Sequence, residues 1–582
     1  MTKAKTKLST AIMLSCILLS PGVLMADEAA FLAFYERFMK KFQPLADEVE
    51  RASWEARKTG SPEAFQKKKD ARLAQVKLLS DAGVFANLGL LRKDGTITDP
   101  FVARLARTMN DMFLPVQKAR AAVEKEVELE TFLEQALRNH RIRVDGKELT
   151  TGEVRRILRT TTDSEEAERV WKAYMKLGKE LDPKVRELVD ARNQIGTRLG
   201  QAHYFRYRLH MGRFASTTFY RFFNSLNSDM RPTFVEAKNE IDKAVAAKFG
   251  IEVPELRAWH FGDLYFRDVP VTAVSDLDHL FKKTDLVKLA RGYLNGIGLS
   301  SADIIRRSDI STAPGAAVFP YRIGFDSTGR VRIACDAEPT AQGAEELFQS
   351  LTKAVYREGI KHDVPVLLRR PPHRAIDECL GSFAGSVVRN PEFLKKVLHV
   401  NPKDLSEVEE TAKRTMKWRS LIRASWAQLL MRFELKMYGA PTRDYPNEWA
   451  TFIAENQGIT LPEGDYRYGF ALVPEILFRP VSHHATLMGD MLAEQLNVYL
   501  LGEVLGEDTA QRPCFAEKPK VGAFLRDRLM APGDLYHWEV LVKECMGSSF
   551  TKDFYVRRLF GIEPTPDFLP KEVKAQSIAP TK

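Results

Sequence analysis

Apolar residues recur at spacings of three and four through most of this chain, which is the spacing of one face of an α-helix. In residues 345–359, for example, Leu347, Phe348, Leu351, Ala354 and Val355 fall on one side of a predicted helix. The longer patterns predict helices over residues 28–58, 62–82, 101–138, 184–200, 216–249, 277–297, 406–438 and 484–505. The apolar pattern therefore predicts a mainly α protein.

Three local motifs predict helix starts. Thr150 with Glu153, and Thr162 with Glu165, have the spacing of capping boxes. Asp182 followed by Pro183 has the order of an N-cap residue and a proline at the first helical position.

One stretch predicts β structure. In AAVFPYRIGFDSTGRVRIACD, residues 316–336, two runs rich in β-branched and aromatic residues flank DSTG, as in a hairpin. The hairpin comes directly before the helix predicted over 345–359. A strand at the edge of a small sheet can bind an extended peptide by strand addition, although a purely structural hairpin would have the same pattern.

The N-terminus has the pattern of a signal peptide. Lys3, Lys5 and Lys7 precede an apolar run, and Ala26 offers a small residue for cleavage. The run is shorter than the roughly twenty apolar residues of a membrane span, which favours cleavage over anchoring. We therefore predict a signal peptide over 1–26, one peptidase-like domain of two lobes over 27–570 and a disordered basic tail over 571–582, in an exported periplasmic or secreted protein.

The net charge bears on possible partners, and the cysteine content bears on possible disulfides. The net charge is +10, and removal of the three N-terminal lysines lowers it to +7. The excess basic residues are interspersed with acidic ones rather than gathered in an arm, so no nucleic-acid partner is expected. No later segment is apolar enough to span a membrane, so no transmembrane segment is expected after cleavage. Four cysteines would remain, with either disulfides or free thiols possible: Cys335, Cys379, Cys514 and Cys545.

The histidines lack the spacing of a zinc peptidase. Such enzymes place two histidines one helical turn apart, with a glutamate beside the first as general base. The chain has eleven histidines, but no two are four residues apart and no H-E-x-x-H occurs. An ordinary zinc-peptidase motif is therefore absent from the sequence.

Six stretches nevertheless follow one another as in a known family. They are ILRTTTDSEEAERVWKAYMKLGKELDPKVRELVDARNQIGTRLG (157–200), RAWHFGDLYF (257–266), GRVRIACDAEPT (329–340), VPVLLRRPPHRAIDECLG (364–381), LLMRFELKMYGAPTRDYPNEWATFIAENQG (429–458) and RPVSHHATLMGDMLAEQL (479–496). Together they resemble the angiotensin-converting-enzyme-like zinc dipeptidases, especially the bacterial branch. The resemblance implies a two-lobed helical shell around a deep peptide-binding cleft, with a small sheet beside the active-site helix.

The resemblance places a degenerate zinc motif on the helix at 345–359. The first histidine falls on Gln349, the catalytic glutamate on Ser350 and the second histidine on Lys353, while Glu378 keeps the third-ligand position. A lysine ammonium repels Zn²⁺, and a serine cannot act as the carboxylate base for zinc-bound water. We therefore expect no metal and no cofactor, and we predict that Lys353 forms a salt bridge with Glu378.

A second difference concerns oxyanion stabilisation. The resemblance retains His484, but Ser482, His483, Ala485 and Thr486 stand where relatives have tyrosine and asparagine around it. No tyrosine lies between Tyr468 and Tyr499. The phenol that would stabilise a tetrahedral oxyanion is thus expected to be missing.

Two other chemistries remain open. Candidates for a rebuilt metal site are His362, His373, Asp377, Glu378, His483 and His484, although RRPPH predicts that His373 precedes its helix. Ser350 and Lys353 have the S-x-x-K spacing of some acylating enzymes, which is weak support on its own.

The sequence as a whole predicts a pseudopeptidase that binds a peptide or protein segment, or supports an active relative. Candidate cleft residues are Arg332, Ile333, Ala334, His483 and His484. One alternative is an active metallopeptidase with a non-standard metal site, which would require zinc. The other is a structural envelope protein.

Overall fold

Helices make up most of the described chain, so the predicted mainly α class is confirmed. The structure is a computed structural model that describes residues 26–92, 97–214, 216–312, 322–325, 328–439, 444–510 and 513–562. The α-helices in these ranges are Ala26–Thr59 (α1), Pro62–Leu79 (α2), Ala82–Leu91 (α3), Pro100–Asn139 (α4), Thr151–Thr160 (α5), Ser164–Arg198 (α6), Tyr204–Met211 (α7), Ser216–Phe249 (α8), Leu286–Gly296 (α9), Ala302–Arg306 (α10), Ala341–Glu358 (α11), Arg374–Gly385 (α12), Pro391–Lys396 (α13), Leu405–Gly439 (α14), Tyr445–Gln457 (α15), Pro474–Phe478 (α16), His483–Tyr499 (α17), Pro519–Phe524 (α18), Trp538–Met546 (α19) and Asp553–Phe560 (α20).

The strands form two small sheets. Ile142–Val144 (β1) pairs with Lys147–Leu149 (β2), and the other strands are Asp309–Ser311 (β3), Arg322–Phe325 (β4) and Val331–Asp336 (β5). The antiparallel pairing of β4 with β5 confirms the predicted hairpin, although residues 313–321 and 326–327 lie outside the described ranges. The predicted signal peptide, except for its last residue, and the predicted tail also lie outside them.

Two of the predicted helix starts are wrong. The capping box of Thr150 and Glu153 is present at α5, but α6 is capped by Asp163 rather than Thr162. Asp182 and Pro183 lie inside α6 instead of starting a helix. The apolar face of α6 continues across the proline and is buried on both sides of it, so tertiary packing outweighs the local preference of proline to end a helix.

The helix predicted over 277–297 is also interrupted. Asp278–Leu280 forms a short 3-10 turn, and α9 begins only at Leu286. The Asp285 carboxylate accepts the Lys288 N–H and so caps this later start.

Helices α11, α12 and α17 form the layer that carries the predicted site. Helix α12 packs between α11 and α17, and α11 packs on β5. Buried apolar side chains form one contiguous core from Phe31 to Leu559. None of the described helices combines the length and the apolar character that a bilayer span requires.

All four cysteines of the described chain are free thiols. Of the two possibilities that the sequence left open, the free thiols are therefore present, and the Cys545 thiol donates to the Arg528 carbonyl oxygen at 3.2 Å. Burial, with Glu346 nearby, raises the pKa of Cys335 to about 12, which keeps this thiol protonated at neutral pH.

Candidate functional site

A buried ion pair joins α11 to α12 at the predicted site. The Lys353 Nζ lies 2.5 Å from Glu378 Oε2, and both side chains are almost entirely buried. The salt bridge predicted between these residues is confirmed. Burial raises the pKa of Glu378, but Lys353 and then Arg374 outweigh that effect and hold the pKa well below its usual value.

Glycines on α12 make room for the side chains of Gln349 and Lys353 on α11. A Cβ atom at Gly381 would lie 2.4 Å from Lys353 Cε, and one at Gly385 would lie 2.4 Å from Gln349 Cγ. Because Gln349 and Lys353 are four residues apart, both project from α11 towards α12. The two positions that the resemblance assigns to histidines therefore share one helix face opposite Glu378.

Gln349 and Ser350 are held by hydrogen bonds within α11. The Gln349 amide donates to Glu345 Oε1 at 3.0 Å, and Glu345 also accepts from Arg389 and Arg419. The fully buried Ser350 hydroxyl donates to the Glu346 carbonyl oxygen at 2.6 Å. Ser350 thus has no neighbouring base that would activate it, because the Lys353 ammonium is directed at Glu378.

His483 and His484 point to different environments. His483 lies beside Gln349 on the wall of the cavity described below, with its Nε2 atom 3.0 Å from Glu434 Oε2. His484 instead lies among aromatic rings, with ring centroids 5.4 Å from Phe214 and 6.0 Å from His373. Burial, and then His373, lower the pKa of His484 well below its usual value, so this histidine is a neutral core residue.

Glu434 belongs to the site but was not predicted from the sequence. Its carboxylate accepts the Val481 N–H at 3.0 and 3.1 Å and is completely buried. Val481 has a φ of 55°, a left-handed conformation that is unusual for a β-branched residue. Glu434 thus stabilises the strained turn that leads into α17 and faces His483. Only the folding of α14 against α17 brings this carboxylate to the site.

The residues present do not fit zinc. Gln349 is a neutral amide, and the charge of Lys353 neutralises Glu378, the position that the resemblance assigns to the third ligand. Asp377 pairs with Arg357 at 3.0 Å, and His373 caps α12, as its position before the helix predicted. Among the residues that the structure describes, no group of three histidines, cysteines or carboxylates is arranged to hold a metal ion.

A cavity of about 430 Å³ opens beside this site. Its wall includes Gln349, His483 and Thr486, and it continues past the first residues of α11 to α5. Strand β5 contributes only Cys335 and Asp336 among its residues to the described wall. This volume is within the range of small-molecule and peptide pockets.

The candidate cleft residues Arg332, Ile333 and Ala334 lie on β5, which is the central strand of its sheet rather than an edge strand. Strand β4 pairs with it on one side and β3 on the other. Beyond the end of β3, the Ile333 N–H donates to the Ser308 hydroxyl at 2.9 Å. The Arg332 guanidinium lies 3.9 Å from the ring centre of Trp54. The sequence predicted the strand and its partner β4 but not its second partner, β3, which lies outside the hairpin.

No protein-family model matches this chain, and no curated protein matches its sequence. The resemblance to zinc dipeptidases therefore stays a prediction from the motifs quoted above.

We expect His373 to make stability depend on pH. Burial, with His537 and Arg374 nearby, lowers its pKa to about 3 in the folded protein, against an ordinary value of about 6.5. As the pH falls below about 6.5 the unfolded chain takes up this proton first, so stability that is present above that pH is lost at up to about 1.4 kcal/mol per pH unit.

Urea unfolding of the wild type and of His373→Asn between pH 7.5 and 4.5 tests this expectation. Asparagine can retain the helix cap but does not titrate, so its stability should fall less steeply below pH 6.5. The two curves should be parallel above pH 7. Equal slopes below pH 6.5 would show that His373 does not contribute to acid sensitivity.

Proposed function

We propose that this chain is an exported, catalytically inactive relative of zinc dipeptidases that binds a peptide or protein segment in its cavity. The observation that carries this proposal is the buried Lys353–Glu378 pair beside a cavity that reaches Gln349 and His483. The ammonium neutralises the carboxylate that a metal would otherwise need, while the neighbouring space stays open. This combination favours binding without hydrolysis.

The chemistry of the wall supports the inactive assignment. Ser350 is buried and bonded to its own helix, so it cannot serve as a carboxylate base. Glu346 does line the cavity, but Lys353 and Gln349 leave it without a metal-bound water to activate. No tyrosine of α17 precedes Tyr499 to stabilise an oxyanion. The positions that the resemblance assigns to catalysis thus offer no metal-bound water, no carboxylate base at Ser350 and no tyrosine oxyanion donor from α17, which supports the proposal.

The proposed peptide is held by side chains rather than by strand addition. Strand β5 has partners on both sides, so its backbone is not available to a third strand. The cavity wall instead offers the Gln349 amide, His483 and Thr486 at its inner end. A protein segment, or a loop of an active peptidase, is an equally suitable occupant for such a wall.

Three measurements on the purified chain test the proposal together: zinc by elemental analysis, hydrolysis of short peptides with and without chelator, and peptide binding by fluorescence anisotropy. We expect no stoichiometric zinc, no turnover and saturable binding of library peptides. Stoichiometric zinc with chelator-sensitive hydrolysis would refute the proposal. Neither binding nor turnover would favour a structural envelope role.

Thr486→Trp provides the variant for the binding measurement. Because Thr486 lines the inner end of the cavity, an indole there should fill the space and weaken peptide binding about tenfold or more. Thr451→Trp is the matched control, because Thr451 is exposed on α15 and does not line the cavity. Equal loss of binding in both variants would place the peptide elsewhere.

A further inference from the structure

The cavity wall is rich in arginine. Among its described residues are eight arginines and no lysine: Arg138, Arg141, Arg155, Arg156, Arg159, Arg267, Arg419 and Arg423. Arginine differs from lysine because its planar guanidinium matches a carboxylate with two parallel hydrogen bonds. The side-chain chemistry therefore favours an anionic ligand. Only an arginine without a carboxylate partner inside the protein is available to bind it.

Four of these arginines have a carboxylate partner within the protein. The pairs are Arg159 with Asp278, Arg267 with Asp263, Arg419 with Glu345 and Arg423 with Asp490. Each partner belongs to the surrounding wall or core, so these four guanidinium groups serve the fold. They are not available to a ligand without breaking a buried ion pair.

The other four form what we call the arginine cluster: Arg138, Arg141, Arg155 and Arg156. In the described chain, none of the four forms an ion pair with a carboxylate. Arg138 donates only to backbone carbonyl oxygens of α1, and the Nε atom of Arg155 is buried without a hydrogen-bond partner. The nearby Glu153 is occupied by the capping box at Thr150.

The cluster is assembled at one end of the cavity. Arg138 is in the last turn of α4, Arg141 directly precedes β1, and Arg155 and Arg156 are on α5. Burial, and then the charge of Arg141, lower the pKa of Arg138, which shows that like charges meet here. Asp263 and Glu346 lie near Arg155 without forming an ion pair with it, so the guanidinium groups of the cluster remain open to the carboxylate of a ligand.

We propose that the arginine cluster binds aspartate or glutamate side chains of the peptide that occupies the cavity. This inference rests on the proposed function and names the class of peptide: an acidic one, with its acidic residue at the α5 end and its remaining residues directed towards Gln349 and His483. The basic character of the chain, with a formal charge of +10 that becomes +7 without Lys3, Lys5 and Lys7, favours the approach of such a ligand.

The rest of the wall disfavours a nucleic acid as the occupant. Six carboxylates line the same cavity: Asp263, Asp268, Asp336, Glu338, Glu346 and Glu475. A polyphosphate backbone that passes through the cavity would meet several of them, whereas a peptide with one acidic segment meets only the cluster. Aligned charges of one sign would be expected in a groove for nucleic acid.

The test compares two acetylated, amidated and fluorescein-labelled pentapeptides, Ala-Glu-Phe-Glu-Ala and Ala-Gln-Phe-Gln-Ala, by anisotropy with the purified chain. We expect the acidic peptide to bind about tenfold more tightly at low salt, an advantage that shrinks as salt is added. Arg155→Gln with Arg156→Gln should remove the advantage and leave binding of the neutral peptide unchanged. That unchanged binding also shows that the variant is folded.

Arg143→Gln is the matched control, because Arg143 is on β1, is exposed and pairs with Glu148 outside the cavity. Equal affinity of the wild type for both peptides would overturn this inference and leave the proposed function intact. Binding of neither peptide would contradict both. Displacement of the acidic peptide by a single-stranded DNA decamer at lower concentration would assign the cluster to nucleic acid instead.

Discussion

Replacing Lys353 by methionine is expected to lower the free energy of unfolding by about 3–5 kcal/mol, the range for breaking one partner of a buried ion pair. In the described chain Glu378 would keep Arg374, at 3.1 Å, as its ion-pair partner, with Arg479 further away, to balance a buried negative charge. The double change Lys353→Met with Glu378→Gln removes that charge, so it should recover most of the loss. Urea unfolding of the four members of this cycle measures the coupling.

Lys179→Met is the matched control. Lys179 pairs with Asp465 at 2.7 Å, but about half of each side chain is exposed to solvent. Removal of this pair should change stability little, because solvent screens exposed charges. If Lys353→Met and the double variant are destabilised equally, packing of the lysine stem against Gly381 matters more than its charge.

Introducing the three residues that the resemblance assigns to these positions is expected to create a zinc site. Gln349→His, Ser350→Glu and Lys353→His together place two imidazoles four residues apart on α11, opposite Glu378. Without zinc, the variant should be destabilised much as Lys353→Met is, because Glu378 loses its ammonium. Zinc at about 100 times its dissociation constant should return about 2.7 kcal/mol of stability by linkage.

Thermal unfolding with and without zinc, combined with elemental analysis after dialysis, measures this effect. The same variant with Glu378→Gln added is the control, since it lacks the third ligand and should retain no zinc. A folded triple variant that retains none would show that Gln349, Lys353 and Glu378 do not occupy the positions assigned by the resemblance. The proposed relationship to zinc dipeptidases would then lose its main support.

Local sequence patterns predicted most helices because an amphipathic helix is specified by residues close together in the chain. The patterns at 28–58 and 406–438 correspond to α1 and α14 within a few residues. The same logic failed at Pro183, where local chemistry indicates a helix start and packing of both flanks keeps α6 continuous. The cap at Asp163 was missed by one residue, a difference that spacing rules do not resolve.

The site shows a similar division. The ion pair between Lys353 and Glu378 was predicted, because one helix register and one resemblance sufficed to place them. The role of β5 as a central strand was not predicted, because its partner β3 lies in a separate segment of the chain. Glu434 was missed for the same reason, because it has no motif and reaches His483 only when α14 and α17 pack together.

By itself, the sequence determined the helical class, the positions of most helices and the absence of an H-E-x-x-H motif. These properties depend on residue identity and on spacings of a few residues. Only the tertiary structure decided that β5 is closed to a further strand, that Glu434 supports the turn into α17, and that four arginines without carboxylate partners meet at one end of the cavity. Those outcomes depend on contacts between segments that are far apart in the chain. Local sequence patterns do not specify which of these segments pack together.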